Sequence, residues 1–205
     1  VTHMVTSRFG GVSTGDCASF NFSYARDTNR EAVDENFRRA AGVFGTTSDA
    51  FVCSDQTHTT NIRRVEKEDA GKGVTKEKDY RDVDGLITNV PGLILGTFYA
   101  DCVPLLFVDP VHHAIGCSHS GWRGTVGEMG KKTVEAMREA YGSRPEDIFA
   151  AIGPSICQDC YEVGKDVAEP FEKLFSQERY QDVPLEKYTD RKGQWKISAG
   201  SVARQ

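Results

Sequence analysis

The chain has 205 residues, long enough for a domain with a proper buried core and no need of covalent staples. With 25 Lys and Arg against 30 Asp and Glu, its net charge of −5 excludes a protein that grips nucleic-acid backbones by general basicity. No apolar run approaches the roughly 20 residues that span a bilayer, and Val1 to Gly11 lack the basic flank and hydrophobic stretch of an export signal. The expectation is therefore one cytoplasmic domain over residues 1–205, with no nucleic-acid or membrane partner. In that compartment Cys17, Cys53, Cys102, Cys117, Cys157 and Cys160 stay reduced, available for burial, metal ligation or catalysis.

In chain order, Thr28 followed by Glu31 has the form of a capping box. Val33, Phe37, Ala40 or Ala41, and Phe44 then recur at helical spacing, with Gly42 and Gly45 as stops. The Lys-, Glu-, Asp- and Gly-rich stretch from Glu66 to Asp82 reads as a solvated loop. Strands are expected at Val83 to Thr88, Leu93 to Tyr99, Val103 to Val108 and Ala114 to Ser118. The unbroken apolar run of the third suggests a strand covered on both faces. A helix after Gly124 would bury Val126, Met129, Val134, Met137 and Tyr141 and stop at Gly142. A strand at Ile148 to Ile152 and a helix carrying Val163, Val167, Phe171, Leu174 and Phe175 follow, with Pro170 disturbing the helix.

His58, Cys102 and His119 each lie at a strand boundary beside this apolar block, where a polar group needs a partner or a task. Singly, each reads more readily as a core residue. Together, two His and one Cys would leave one position of a tetrahedral zinc open, as a catalytic site requires. Gly121 and Gly124 around Trp122 and Arg123 have the form of an anion-binding turn, or of a plain tight turn with Trp122 buried. Cys157-Gln158-Asp159-Cys160 has C-x-x-C spacing, but without a second such pair it reads as a loop with two ordinary thiols.

These motifs resemble the YfiH-type family, named both for laccase-like multicopper polyphenol oxidoreductases and for purine nucleoside phosphorylases. The resemblance runs through Ser7-Arg8-Phe9-Gly10-Gly11-Val12-Ser13, Ser19-Phe20-Asn21-Phe22, Val33-Asp34-Glu35-Asn36 and Gln56-Thr57-His58. It continues through Asp82-Val83-Asp84-Gly85-Leu86-Ile87-Thr88, Ala100-Asp101-Cys102-Val103-Pro104 and His119-Ser120-Gly121-Trp122-Arg123-Gly124. The last blocks are Ile152-Gly153-Pro154-Ser155-Ile156 and Cys160-Tyr161-Glu162-Val163. It implies an α+β fold of mixed sheets flanked by helices, an αββα-like layered sandwich, and His58, Cys102 and His119 as metal ligands. Two departures stand out. Thr59 replaces the Gly usual after the first ligand His, and the chain looks shortened at both ends relative to the family.

The activity this implies is zinc-dependent phosphorolysis of adenosine, inosine or methylthioadenosine, and deamination of adenosine. Its partners are then a purine nucleoside and phosphate, and a homodimer is the assembly it allows. Arg8, Asn21 and Arg123 are the candidates for binding substrate. Asp84 and Asp101 are candidates for proton transfer or for support behind the ligands. Copper suits the same donors and would carry polyphenol oxidation, although five histidines, among them His3, His112 and His113, are few for several coppers. Two further readings are a metal-free cysteine hydrolase using Cys102 and His119, including peptidoglycan precursor editing, and a scaffold closed by a fourth zinc ligand.

Overall fold

The computed structural model describes residues 1–180, 187–189 and 195–197. In chain order the elements are α1 (Arg30–Val43), β1 (Phe51–Cys53), β2 (Ile62–Arg64), β3 (Gly85–Thr88), β4 (Ile94–Gly96), β5 (Val103–Asp109) and β6 (Ala114–Ser120). They continue with α2 (Trp122–Val126), α3 (Met129–Tyr141), β7 (Phe149–Ile152), β8 (Glu162–Val163), α4 (Lys165–Phe175), β9 (Lys187–Thr189) and β10 (Trp195–Ile197). This is the expected mixture of helices and mixed sheets. Its contacts gather into two compact units, each assembled from three stretches of chain.

The first unit comprises Val1–Cys53, Val65–Tyr80 and Val90–Gly96. The apolar face of α1 supplies Val33, Phe37, Ala40 and Ala41, which pack with Phe51, Cys53 and Val74. Asn36, fully buried on the same helix, is satisfied by the segment it holds in place. Its side chain accepts from Val12 N–H (2.9 Å) and donates to the Asn21 carbonyl (2.7 Å) and the Ser13 hydroxyl (3.1 Å). The helix begins one residue later than the Thr28 box suggests. Asn29 is the cap, accepting from Ala32 N–H at 3.1 Å, while Asp27 in turn accepts from Asn29 N–H. The charged stretch after Glu66 is also less solvated than its composition implies. Asp69, Val74 and Tyr80 are buried, and Lys72 bridges Asp69 and Asp79.

The second unit, Ser54–Arg64, Arg81–Asn89 and Thr97–Gln205, contains a five-stranded sheet ordered β2-β3-β6-β5-β7. β2 and β3 run parallel, and the remaining pairs are antiparallel. Val103, Leu105 and Phe107 point to one face of β5 and pack with Ile87, Met129 and Met137, so α3 covers that face. Coverage of the other face is incomplete: Leu106 and Val108 are half-buried and β7 is exposed along its length. The helix expected after Gly124 is two helices, because Glu128 takes a left-handed conformation (φ 59°) between α2 and α3 and binds Arg179 and Tyr180 through its carboxylate. Gly142 ends α3 as expected, with φ 76° and its N–H on the Arg138 carbonyl. Pro170 is accommodated inside α4, whose Val167, Ala168 and Phe171 pack with Trp122 and Val126.

The β5–β6 register decides what meets at the sheet's end. Asp109 is fully buried at the hairpin turn and accepts from Val111 N–H (2.8 Å), His112 N–H (3.1 Å) and His112 Nδ1 (2.8 Å). Burial opposes its ionisation, but Ser143 and these donors outweigh it and lower its pKa from 3.8 to about 2. The stabilisation is thus complete above the unfolded value and disappears as pH falls through the folded one. Asp109→Asn should cost about 1–3 kcal/mol at neutral pH and flatten the loss of stability between about pH 4 and about pH 2. Urea midpoints across that range test this; parallel curves for the two proteins would contradict it.

Candidate metal centre

Three strand ends and one loop converge in the second unit. Antiparallel pairing sets Pro104 against His119 and Val103 against Ser120, so Cys102, just before β5, meets the end of β6. Pairing of Gly85 with Ser118 places Asp84, just before β3, beside His119, whose N–H donates to the Asp84 carbonyl at 2.7 Å. The loop leading into β2 carries His58. As a result one ligand atom from each of His58, Cys102 and His119 lies within 4.8 Å of the other two. His58 Nε2 is 3.9 Å from Cys102 Sγ, and the imidazole rings meet edge to face at 5.0 Å.

The donor set suits a metal ion. Zinc bonds of about 2.0 Å to imidazole and about 2.3 Å to thiolate place tetrahedral ligands roughly 3.5 Å apart, somewhat less than the 3.9 Å between His58 Nε2 and Cys102 Sγ and inside the 4.8 Å that bounds the trio. Among the described residues this is the one cluster of three or more such groups, and the three provide one position fewer than a closed structural site needs. Gly121 makes the room. A Cβ there would sit 2.7 Å from His58 Cδ2 and 3.0 Å from Cys102 Sγ.

Asp84 holds both histidines. Its carboxylate, sealed from solvent, accepts from the N–H groups of Thr57 (3.2 Å), His58 (3.1 Å) and Thr59 (2.8 Å), from the Thr59 hydroxyl (2.8 Å) and from His119 Nδ1 (2.7 Å). Burial pushes its pKa up, but these hydrogen bonds, led by His119, hold it below the ordinary value. Through the loop amides the carboxylate stabilises His58 at φ 65°, a conformation few non-glycine residues adopt. Through Nδ1 it fixes the His119 tautomer, leaving Nε2 as the electron-pair donor. Burial lowers the His119 pKa despite Asp84's upward pull, which favours the neutral ring a metal requires. The Tyr99 ring lies 5.7 Å from His119, and its hydroxyl is fixed on the Ser118 carbonyl.

The surroundings of Cys102 favour the neutral thiol until a cation displaces its proton. Burial and then the negative charges of Asp101 and Asp84 push the Cys102 pKa up. Thiolate nucleophiles need electropositive surroundings, and these are the reverse.

The remaining sequence candidates lie as follows. Asp101 is exposed beside Cys102. Arg123 is exposed, its guanidinium 4.2 Å from the Trp122 ring, and α2 is too short to offer the helical anion site its glycines suggested. Arg8 and Asn21 belong to the first unit, where Arg8 donates to the Ala18 carbonyl and Asn21 bonds Ser23 and Asp27. Sequence reasoning left the role of Asp84 open and missed both the Thr57–Thr59 amides and the steric role of Gly121.

The family whose sequence profile matches residues 2–205 is described as multi-copper polyphenol oxidoreductase laccase. The chain belongs to this family. A Deinococcus radiodurans relative named purine nucleoside phosphorylase is 42% identical over 171 residues, covering 83% of this chain and 63% of its own length. A relative from an unknown prokaryotic organism, named adenosine deaminase RL5, is 40% identical over 151 residues, 73% of this chain and 57% of its own. The crystal structure of YlmD from Geobacillus stearothermophilus superposes with a TM-score of 0.85 at 33% identity, covering 96% of this chain and 72% of that one. The chain thus spans less than two thirds of the length of these curated relatives. Its relatives in the family carry the names of enzymes acting on purine nucleosides. No helix among the described residues is long and apolar enough to cross a membrane.

Two substitutions separate support from ligation. Asp84→Asn keeps the size but loses the charge that orients His119, and should weaken zinc binding ~10–100-fold. Gly121→Ala should displace His58 or Cys102 and weaken binding at least as much, with thermal stability nearly unchanged. Competition titration against a chromophoric chelator measures both, and wild-type affinity in either variant would contradict the assignment.

Proposed function

We propose that this chain is a zinc-dependent purine nucleoside phosphorylase that also deaminates adenosine, with adenosine, inosine and methylthioadenosine as substrates. The observation that carries the reading is the trio of His58, Cys102 and His119, which brings one ligand atom from each within 4.8 Å of the other two and leaves a tetrahedral set one short. The names of the relatives support the substrate class. Residues 1–205 then act as one catalytic domain of a cytoplasmic enzyme, with a homodimer as its assembly.

In this reading His58, Cys102 and His119 hold the ion, which when bound supplies Lewis acidity and lowers the pKa of water. Asp84 keeps His119 neutral and oriented and holds the His58 loop. With its acceptor sites taken by five hydrogen bonds it is a positioning group, not a proton carrier. Asp101, exposed beside Cys102, is the better placed carboxylate for moving a proton between substrate and solvent. Phosphorolysis needs phosphate held by a guanidinium, and within the second unit that task is assigned to Arg123.

Copper remains the second reading, supported by the family's description and by a donor set that suits both metals. Laccase chemistry draws on several coppers, whereas the described residues form one cluster. The metal-free hydrolase is disfavoured by the raised Cys102 pKa, and the closed scaffold by the ligand count.

Elemental analysis of purified protein, joined to chromatography of adenosine reactions with and without phosphate, tests the proposal. The expected result is about one zinc per chain, ribose 1-phosphate and free base only with phosphate, and inosine without it. Cys102→Ser should lose metal and both activities together. Several coppers with phenol turnover would favour the oxidase, and full activity after exhaustive chelation would favour the hydrolase.

A further inference from the structure

Cys157 and Cys160 were expected to be ordinary loop thiols, and their surroundings are otherwise. They bound a single 3-10 turn, Gln158–Cys160, in which Cys160 N–H donates to the Cys157 carbonyl at 3.2 Å. Both cysteines are exposed and outside any disulfide, whereas Cys53 and Cys117 are buried and Cys102 is half-buried. The Cys157 pKa is lowered, first by the neighbouring Cys160 thiol and then by the Cys160 and Asp159 amides, against an opposing effect of burial. Cys102 and Cys117 shift the other way because they are desolvated. The two exposed thiols thus share one short turn, and one of them is shifted toward its thiolate.

The turn is also tied to its surroundings at both ends. Ile156 N–H donates to the Asp101 carbonyl at 3.0 Å, and Ile156 and Tyr161, the residues bracketing the pair, both line a cavity of about 40 Å³ against Cys102. Anchored flanks keep the two sulfurs near each other, which favours ring closure over a lasting mixed disulfide.

We propose that Cys157-Gln158-Asp159-Cys160 is a thiol–disulfide exchange site whose co-reactant is a low-molecular-weight disulfide. The Cys157 thiolate attacks one sulfur of that disulfide, forming a mixed disulfide and expelling the first small thiolate, which takes up a proton. Cys160, losing its proton to solvent, attacks the Cys157 sulfur and expels the second. The protein dithiol is oxidised by two electrons, the small disulfide is reduced to two thiols, and the protons balance. The proposal stands apart from the identity of the metal, since neither thiol belongs to the His58–Cys102–His119 trio. Intracellular disulfides of this kind are usually transient and redox-sensing.

The test uses the reduced chain, treated with oxidised glutathione across a series of glutathione redox buffers, quenched with acid, alkylated and mapped by peptide mass spectrometry. A Cys157–Cys160 disulfide should form reversibly while Cys17 keeps a free thiol. Cys160→Ser should halt at glutathione on Cys157, and Cys157→Ser should react at Cys160 ~10-fold more slowly or less. Both substitutions fall on exposed positions, and circular dichroism verifies folding. Glutathione spread evenly over Cys17, Cys157 and Cys160, a mixed disulfide that persists in the wild type, or a disulfide that recruits Cys102 would each overturn the proposal.

Discussion

Burying a carboxylate completely is unfavourable unless its charge is met by donors on every side. Asp84 meets that condition with three loop amides, one hydroxyl and one imidazole. The requirement acts in both directions: the loop satisfies the carboxylate, and the carboxylate holds the loop in a form that places His58 at positive φ. Since the same group takes the Nδ1 proton of His119, two of the three candidate ligands share one anchor. The third, Cys102, is brought in by strand register alone.

That division explains how much the sequence disclosed. Strand β5 is legible as an unbroken apolar run and helix α3 because its apolar residues repeat at the helical period, and Gly142 marks a left-handed stop that few other residues tolerate. The cap of α1 shifted by one residue because Thr28 and Asn29 are both good caps, and a local pattern does not rank them. The break at Glu128 was invisible, since its left-handed turn is held by Arg179 and Tyr180, some fifty residues away in sequence.

Within the site, the trio was chosen from strand-boundary positions and from the family resemblance, and the structure brings all three together. The steric role of Gly121 was hidden for a physical reason. A glycine near a helix start suggests backbone approach to an anion, whereas here the missing Cβ clears space for two side chains. Thr59, the departure from the family pattern, acquires an explanation from its hydroxyl, which adds a donor to the Asp84 carboxylate. For the C-x-x-C pair, spacing alone does not reveal that both thiols are exposed on one short turn.

X-ray absorption at the edge of the bound metal addresses the central claim most directly. The account predicts one sulfur at about 2.3 Å and two imidazole nitrogens at about 2.0 Å, a remaining light-atom ligand that exogenous anions exchange, and loss of the sulfur shell in Cys102→Ser. A first shell without sulfur, or one closed by a fourth protein group that no added ligand displaces, would contradict it.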